Sequence, residues 1–322
     1  FAGIFVYCLI VLHTVRGGAE EPAFVPNLAV FSAFALAIGG VGVLIYFIHH
    51  IASSIQAASI IASVADETVA AIERLLPTSL SAAPGGGVDR AAPSLHARPL
   101  DEMCRDLDAT PGKGQTWYPV PAKRDGYIQN VNSETLMRLA LAKQTVLRME
   151  HGVGDFVVQS TALASVAQHA PPDTDTIAAI NAAYAISSHR TVDQDLAFGI
   201  RQVVDIALKA LSPGINDTST AIMCVDHLTA LLSLMTQRQF PPLSQYHGAE
   251  VRVIARAPTF ESLLDSAFDQ IRPNAAGNVA VLSRILGALD VIASQTDCPR
   301  RRVALAKQVQ RVGELADRTV GS

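Results

Sequence analysis

The sequence predicts a mainly α protein: a helical membrane hairpin, then a soluble α+β domain with a small β-barrel-like part and a helical part. Three observations carry this. The 322 residues are 49% hydrophobic and only 17% charged, with mean hydropathy +0.28, which leans toward membrane composition. The stretch Leu28–Ile48, LAVFSAFALAIGGVGVLIYFI, contains no charge. Past the first hundred residues or so, short strand-like runs give way to long apolar patterns at helical spacing.

The elements follow in order. FAGIFVYCLIVLHTV at the start lacks the basic n-region and A-x-A site of a signal peptide. It reads as the end of a preceding span in a trimmed chain, so the visible spans are a lower bound. Leu28–Ile48 rises about 31 Å as a helix, close to the hydrocarbon thickness of a bilayer. The short link RGGAEEPAFVPN makes the two spans an antiparallel pair. Ala35 and Gly39, followed by Gly40 and Gly42, form a small-residue face suited to close helix packing in lipid. His49 and His50 follow directly and read as caps at the membrane interface. Charge does not set the orientation: the link carries Arg16 against Glu20 and Glu21, and no Lys or Arg follows until Arg74.

Ile51, Ile55, Ala58, Ala62, Ala65, Val69, Ile72 and Leu76 then repeat at 4-3 spacing. That is the seam of a self-associating stalk, or of a helix packed on its own domain. Pro77–Pro99 is rich in Pro, Gly, Ser and Ala and reads as a flexible connector. The expected organisation is a transmembrane hairpin over 1–49, a stalk helix over 50–76 and a linker over 77–100. A small α/β, barrel-like subdomain over 101–170 and a helical subdomain over 171–322 complete it.

Within the α/β part, GYIQNV, TVLRM and DFVVQ read as strands, with the helix SETLMRLALAKQ and the turn Gly152–Gly154 between them. This order is similar to the barrel-sandwich folds of carrier domains. No lysine occupies the turn that would carry a cofactor there, since Lys143 falls late in the helix. From Asp173 the pattern is helical, through DTDTIAAINAAYAISSH, Leu196–Leu211, the stretch after Asp217, Thr259–Ile271, Ala275–Ser294 and Arg300–Val320. PRRRVALAKQVQR is locally basic and reads as a solvated face or a lipid-facing one.

Composition narrows function. A net charge of -4 excludes a broadly basic nucleic-acid binder. Cys8, Cys104, Cys224 and Cys298 form no C-x-x-C pair, which argues against a zinc ribbon or a disulfide framework. There is no H-E-x-x-H, G-x-S-x-G, P-loop or G-x-G-x-x-G, so no catalytic residue is assigned and no cofactor is expected.

One stretch stands apart. In ALKALSPGINDTSTAIM, Pro213 and Gly214 break a helix and Asn216 or Asp217 caps the next. Thr218, Ser219 and Thr220 add hydroxyls at a helix N-terminus, where anions bind. Upstream lie Arg190, Asp193, Asp195, Arg201 and Asp205. The candidate ligand-binding set is Arg190, Asp193, Asp195, Arg201, Asp205, Asn216, Asp217, Thr218 and Thr220; a metal is left open.

LIYFIHHIASSIQ, GYIQNV, GDFVVQ and RTVDQDLAFGIRQVVDIALKALSPGINDTSTA closely resemble a bacterial family of predicted membrane proteins, domain of unknown function 2254. FVYCLIVLHTVRG and FVPNLAV extend the resemblance, which runs from Phe1 to about Arg272. It implies four-span inner-membrane proteins with a cytoplasmic C-terminal domain, of which this chain would carry the last two spans. It implies no reaction. The family usually shows Pro after the Asp of the corner and Gly-x-Pro-Leu after G-D-F-V, where this chain has Thr218 and STALAS.

The expected function is an oligomeric, membrane-anchored protein that senses a ligand or gates a pore, and more consistent with a non-enzyme. Its partners would be the bilayer, further copies of itself and a small molecule or ion. The alternatives are a membrane-anchored hydrolase holding Mg²⁺ through Asp193, Asp195, Asp205 and Asp217, and a transporter or channel subunit.

Overall fold

The structure, a computed structural model, describes residues 2–14, 16–18, 21–24, 27–54, 57–77 and 115–320. Beyond Pro77 the expected linker lies outside the described residues. The chain divides into two units, residues 1–60 and 61–322.

In the first unit, α1 (Ala2–Thr14) and α2 (Asn27–Ser54) are joined by an antiparallel ribbon of β1 (Arg16–Gly18) and β2 (Glu21–Phe24). Within α2, the 22 residues Asn27–Ile48 are apolar enough to cross a membrane and rise about 33 Å. Leu28, Phe31, Phe34, Ile38, Ile45 and Phe47 are each more than half exposed, an exterior that suits lipid and not water. The polar atoms between the helices are paired. Ser32 Oγ donates to the Ala29 carbonyl at 3.0 Å, which leaves the Tyr7 hydroxyl to donate to Ser32 at 2.8 Å.

The expected hairpin of two spans is corrected. Among the described residues, the helices of spanning length and apolarity are Asn27–Ile48 near the N-terminal end and Thr218–Thr236 in the middle of the chain.

Helix α3 (Ala57–Leu75) belongs to the second unit from Ile61 on, and there it buries Ile61, Ala65, Thr68, Ala71 and Ile72. Thr68 lies against Gly199, where an added Cβ would come 2.1 Å from its hydroxyl. This face keeps Ala65, Ile72 and Leu76 of the seam read in the sequence, while Ile61 and Thr68 take the place of Ala62 and Val69 as inward residues.

Two open sheets follow. The five-stranded sheet runs β3 (Thr116–Pro121), β7 (Ala162–Gln168), β5 (Leu147–Met149), β10 (Glu250–Ile254), β9 (Ser244–His247). Its neighbours are antiparallel except β5 and β10, which are parallel. The three-stranded sheet is antiparallel, in the order β6 (Phe156–Val157), β4 (Gly126–Val131), β8 (Tyr184–Ser187). Helices α4 (Ser133–Ala142) and α5 (Thr174–Ala182) pack with them around Ile128, Leu136, Leu147, Leu163, Val166, Ile180 and Val253, none more than 2% exposed. The expected barrel-like part is corrected too, because neither sheet closes. Pro119 and Pro121 on β3 have no N–H with which to extend the ladder past that edge.

The helical layer holds α6 (Leu196–Ala210), α7 (Thr218–Thr236), α8 (Phe260–Phe268), α9 (Ile271–Asn274), α10 (Val279–Ser294) and α11 (Pro299–Val320). Helix α7 packs against α6, α8 and α10. Cys224, Val225, Leu228, Leu231, Leu232 and Met235 are fully buried along it. Its spanning length therefore belongs to a core helix, apolar because protein surrounds it.

Candidate functional site

The corner between α6 and α7 is closed by its own main chain. Asn216 N–H donates to the Ser212 carbonyl at 2.9 Å and Asp217 N–H to the Ala210 carbonyl at 2.8 Å. Asn216 takes φ +46, a left-handed position that Asn tolerates better than most residues. Asp217 then caps α7: its carboxylate accepts from Thr220 N–H at 3.0 Å and from the Thr220 hydroxyl at 2.6 Å. The Thr220 hydroxyl first, and the Thr220 N–H second, hold the Asp217 carboxyl below its ordinary value. Thr218 does different work. Its hydroxyl accepts from Asn278 Nδ2 at 2.8 Å, while Asn278 Oδ1 accepts from Val281 N–H at 3.2 Å and caps α10. One hydrogen bond thus ties the N-termini of two core helices.

At the other end of α6 sits a buried ion pair. Asp195 is 5% exposed and caps α6 by accepting from Phe198 N–H at 3.0 Å. Its second oxygen accepts from Arg190 Nη2 at 2.6 Å and Nε at 2.9 Å, and the guanidinium lies 4.9 Å over the Phe198 ring. Burial pushes the Asp195 carboxyl above its ordinary value, against the pull of Arg190; the charge of Asp155 adds to the rise. Gly154 packs on this pair at φ +90, where a Cβ would come 2.2 Å from Asp195 Oδ2 and 2.8 Å from Arg190 Nη2. Next to it, Asp155 accepts from Gly152 N–H at 2.9 Å and faces His151 at 3.6 Å. The turn at 152–155 is thereby latched to the start of α6.

The nine candidate residues therefore do not form one site. Arg190 and Asp195 lie at the start of α6, and Asn216, Asp217, Thr218 and Thr220 lie past its end. A 15-residue helix separates them, about 22 Å of rise. Asp193 pairs with Arg74 of α3, whose Nη2 reaches its carboxylate at 3.0 Å and its carbonyl at 2.7 Å. Arg201 and Asp205 pair with each other at 2.8 Å across one exposed turn. Each of the four carboxylates expected to share a metal has its own separate partner. Among the described residues, no three of His, Cys, Asp or Glu come together as metal ligands. His49 and His50 fall near the end of α2, and their side chains lie outside the described residues.

Sequence reasoning missed Gly154, Phe198, Arg74 and Asn278. Asn278 had a local signal, a capping residue just before the apolar run VAVL. Gly154 had one in its GVGD turn. Arg74, 119 residues from its partner, had none. The basic run at 300–311 also resolves. Arg301 is 4% exposed. It donates to the carbonyls of Thr236 at 2.5 Å and Arg238 at 3.1 Å, and lies 5.0 Å over the Phe260 ring. Arg300 pairs with Glu261, Arg302 with Asp297, and Arg311 with Asp265 and Asp269. Four of the five cations of this run thus have protein partners; Arg301 is buried, whereas Arg302 and Asp297 meet at the surface.

Residues 1–291 match the model of a family described as predicted membrane protein, domain of unknown function 2254. The chain belongs to that family. It is also 32% identical to uncharacterised proteins of Mycobacterium bovis and Mycobacterium tuberculosis, over 99% of its own length and 58% of theirs. The chain thus spans less than two thirds of those relatives. No solved structure matches it. Membership agrees with the apolar exterior of α2, and makes this a predicted membrane protein of a family without an assigned function.

Proposed function

We propose that this chain is the membrane-anchored part of an oligomeric, non-enzymatic protein whose domain senses a small ligand or ion and passes that state to a membrane gate. The observation that carries the reading is the construction of α6. One end is latched by the Arg190–Asp195 pair to the turn at Gly154. The other end meets the corner where Thr218 and Asn278 join two helix starts. A rigid helix held at both ends by polar contacts is a lever. A ligand that competes for the donors at the Thr218–Asn278 corner would shift α6 against the sheets. A hydrolase fits less well, since Asp193, Asp195, Asp205 and Asp217 are each bound elsewhere.

The oligomer is supported by Ala35 and Gly39 on α2, both exposed, with open space around a Cβ at Gly39. The bacterial relatives support a plasma-membrane location, with the domain in the cytoplasm. Native mass spectrometry of the full-length protein from mild detergent tests the reading by giving the subunit count and any retained small molecule. The expected result is an oligomer that keeps a bound anion or ion and loses it with Asp217→Ala. A monomer that retains nothing would overturn the proposal.

A further inference from the structure

We propose that the exposed face of α10, centred on Gly287, is the contact through which two copies of this chain pair antiparallel about a two-fold axis. The inference stands on this face alone, not on the α6 corner or the small-residue face of α2. Helix α10 fills the core with Val281, Leu282, Ile285, Ala288, Leu289 and Ile292, a stripe that accounts for one side of a helix. Its other side is apolar as well. Val279 is 75% exposed, Val291 46% and Leu286 39%. Among them Ala280, Ser283, Gly287 and Ser294 are all exposed, and helical geometry sets these four within about 60° of arc. A glycine in mid-helix weakens the helix. A Cβ at Gly287 would meet nothing within 4 Å, so no contact inside the chain calls for glycine there. A second helix does, because the distance between two packed helices is set by the side chains at their contact.

The charges point to the occupant and to its direction. Arg284 and Asp290 are both exposed and stand symmetrically before and after Gly287 in the chain. In an antiparallel pair centred on Gly287, Arg284 of each copy comes level with Asp290 of the other, so two opposite-charge pairs flank the axis. Val291 comes level with Ser283, and Ala280 with Ser294. A parallel pair would instead set Arg284 level with Arg284 and Asp290 with Asp290, and like charges juxtaposed across an interface disfavour it. Asp290 takes no ion-pair partner among the described residues. Arg284 gives its Nε to Asp226, which leaves the two Nη groups of its guanidinium to reach across. A patch that complements itself after a half-turn is what a two-fold contact requires, since both subunits present the same surface. A lipid surface would call for no such symmetry.

The test is disulfide cross-linking of the whole chain in mild detergent, in a background of Cys8→Ser, Cys104→Ser and Cys298→Ser that keeps the buried Cys224. The expected result is that Gly287→Cys links to its own copy on oxidation with copper phenanthroline, while the background does not. Chains with Ala280→Cys, mixed with chains with Ser294→Cys, should link to each other and not to their own kind. Adding Asp290→Arg to Gly287→Cys should slow the linking by about tenfold or more, because like charges then meet on both sides of the axis. Links of 280 to 280 and of 294 to 294 would mean a parallel pair and overturn the proposal. So would a rate that Asp290→Arg leaves unchanged, which would mean random collision. Absence of any link in a preparation that still shows an oligomer by native mass spectrometry overturns this interface and leaves association through α2 standing. All the substituted α10 positions are exposed, and matching circular dichroism and melting of each variant keep a folding defect from counting on either side.

Discussion

Asn278 donates its side-chain amide to the Thr218 hydroxyl at 2.8 Å, and each residue stands at the start of its own core helix. The bond joins segments 60 residues apart. It also lets one asparagine serve twice, as cap of α10 and as donor to the first residue of α7.

That double role predicts a graded mutant series. Asn278→Ala removes both contacts and should cost about 1–2 kcal/mol. Asn278→Ser keeps a capping oxygen, loses the reach to Thr218, and should cost about half as much. Urea denaturation of the two variants checks the order; equal losses would show that the bridge to Thr218 contributes nothing.

The latch at the start of α6 predicts strong sensitivity at a glycine. Gly154→Ala combines a left-handed backbone with a Cβ 2.2 Å from Asp195 Oδ2, and should destabilise by roughly 2 kcal/mol or more. If the clash acts through the ion pair, the double mutant with Asp195→Ala will be less destabilised than the sum, by about 1 kcal/mol. Additive losses would place the strain in the backbone alone.

Acid stability should depend on helix caps. Asp173 caps α5, and the Thr176 hydroxyl and N–H with Lys143 hold its carboxyl at about 2, below the ordinary 3.8. Asp269 is also lowered, by Gln308, Arg272 and Arg311 against its burial. A lowered carboxylate stabilises the fold above its unfolded pKa and loses that contribution as pH falls toward the folded value. Melting temperature should therefore drop between about pH 4 and pH 2. Asp173→Asn, measured by thermal melts across that window, should flatten part of the drop.

Two neighbouring arginines should behave differently. Arg301→Ala strands the Thr236 and Arg238 carbonyls and removes packing on Phe260, for roughly 2–4 kcal/mol. Arg302 pairs with a fully exposed Asp297, and Arg302→Ala should stay within about 0.5 kcal/mol. Guanidinium melts of the pair decide it; similar losses would remove the distinction between buried and surface pairing.

Legibility in the sequence followed the range of each interaction. The 21 uncharged residues at 28–48, the cap at Asp217 and the helices at 260–268, 279–294 and 299–320 rest on local pattern and emerge near their expected places. Strands β3, β7, β8, β9 and β10 escaped. Two prolines mark β3 as a turn, Ala-rich β7 is buried on both faces and shows no alternation, and β8 follows α5 with only Ala183 between.

The sequence by itself determined that this chain carries an apolar membrane-length helix, an amphipathic helical array and a polar break at Ser212–Asp217, because hydrophobic period and capping act within a few residues. Only the tertiary structure decided that Asp195 turns inward to Arg190 and Gly154, that Asp193 goes to Arg74, and that the corner's partner is Asn278. Those pairings depend on how distant segments pack, and one helix of 15 residues is enough to split a cluster that looks continuous along the chain.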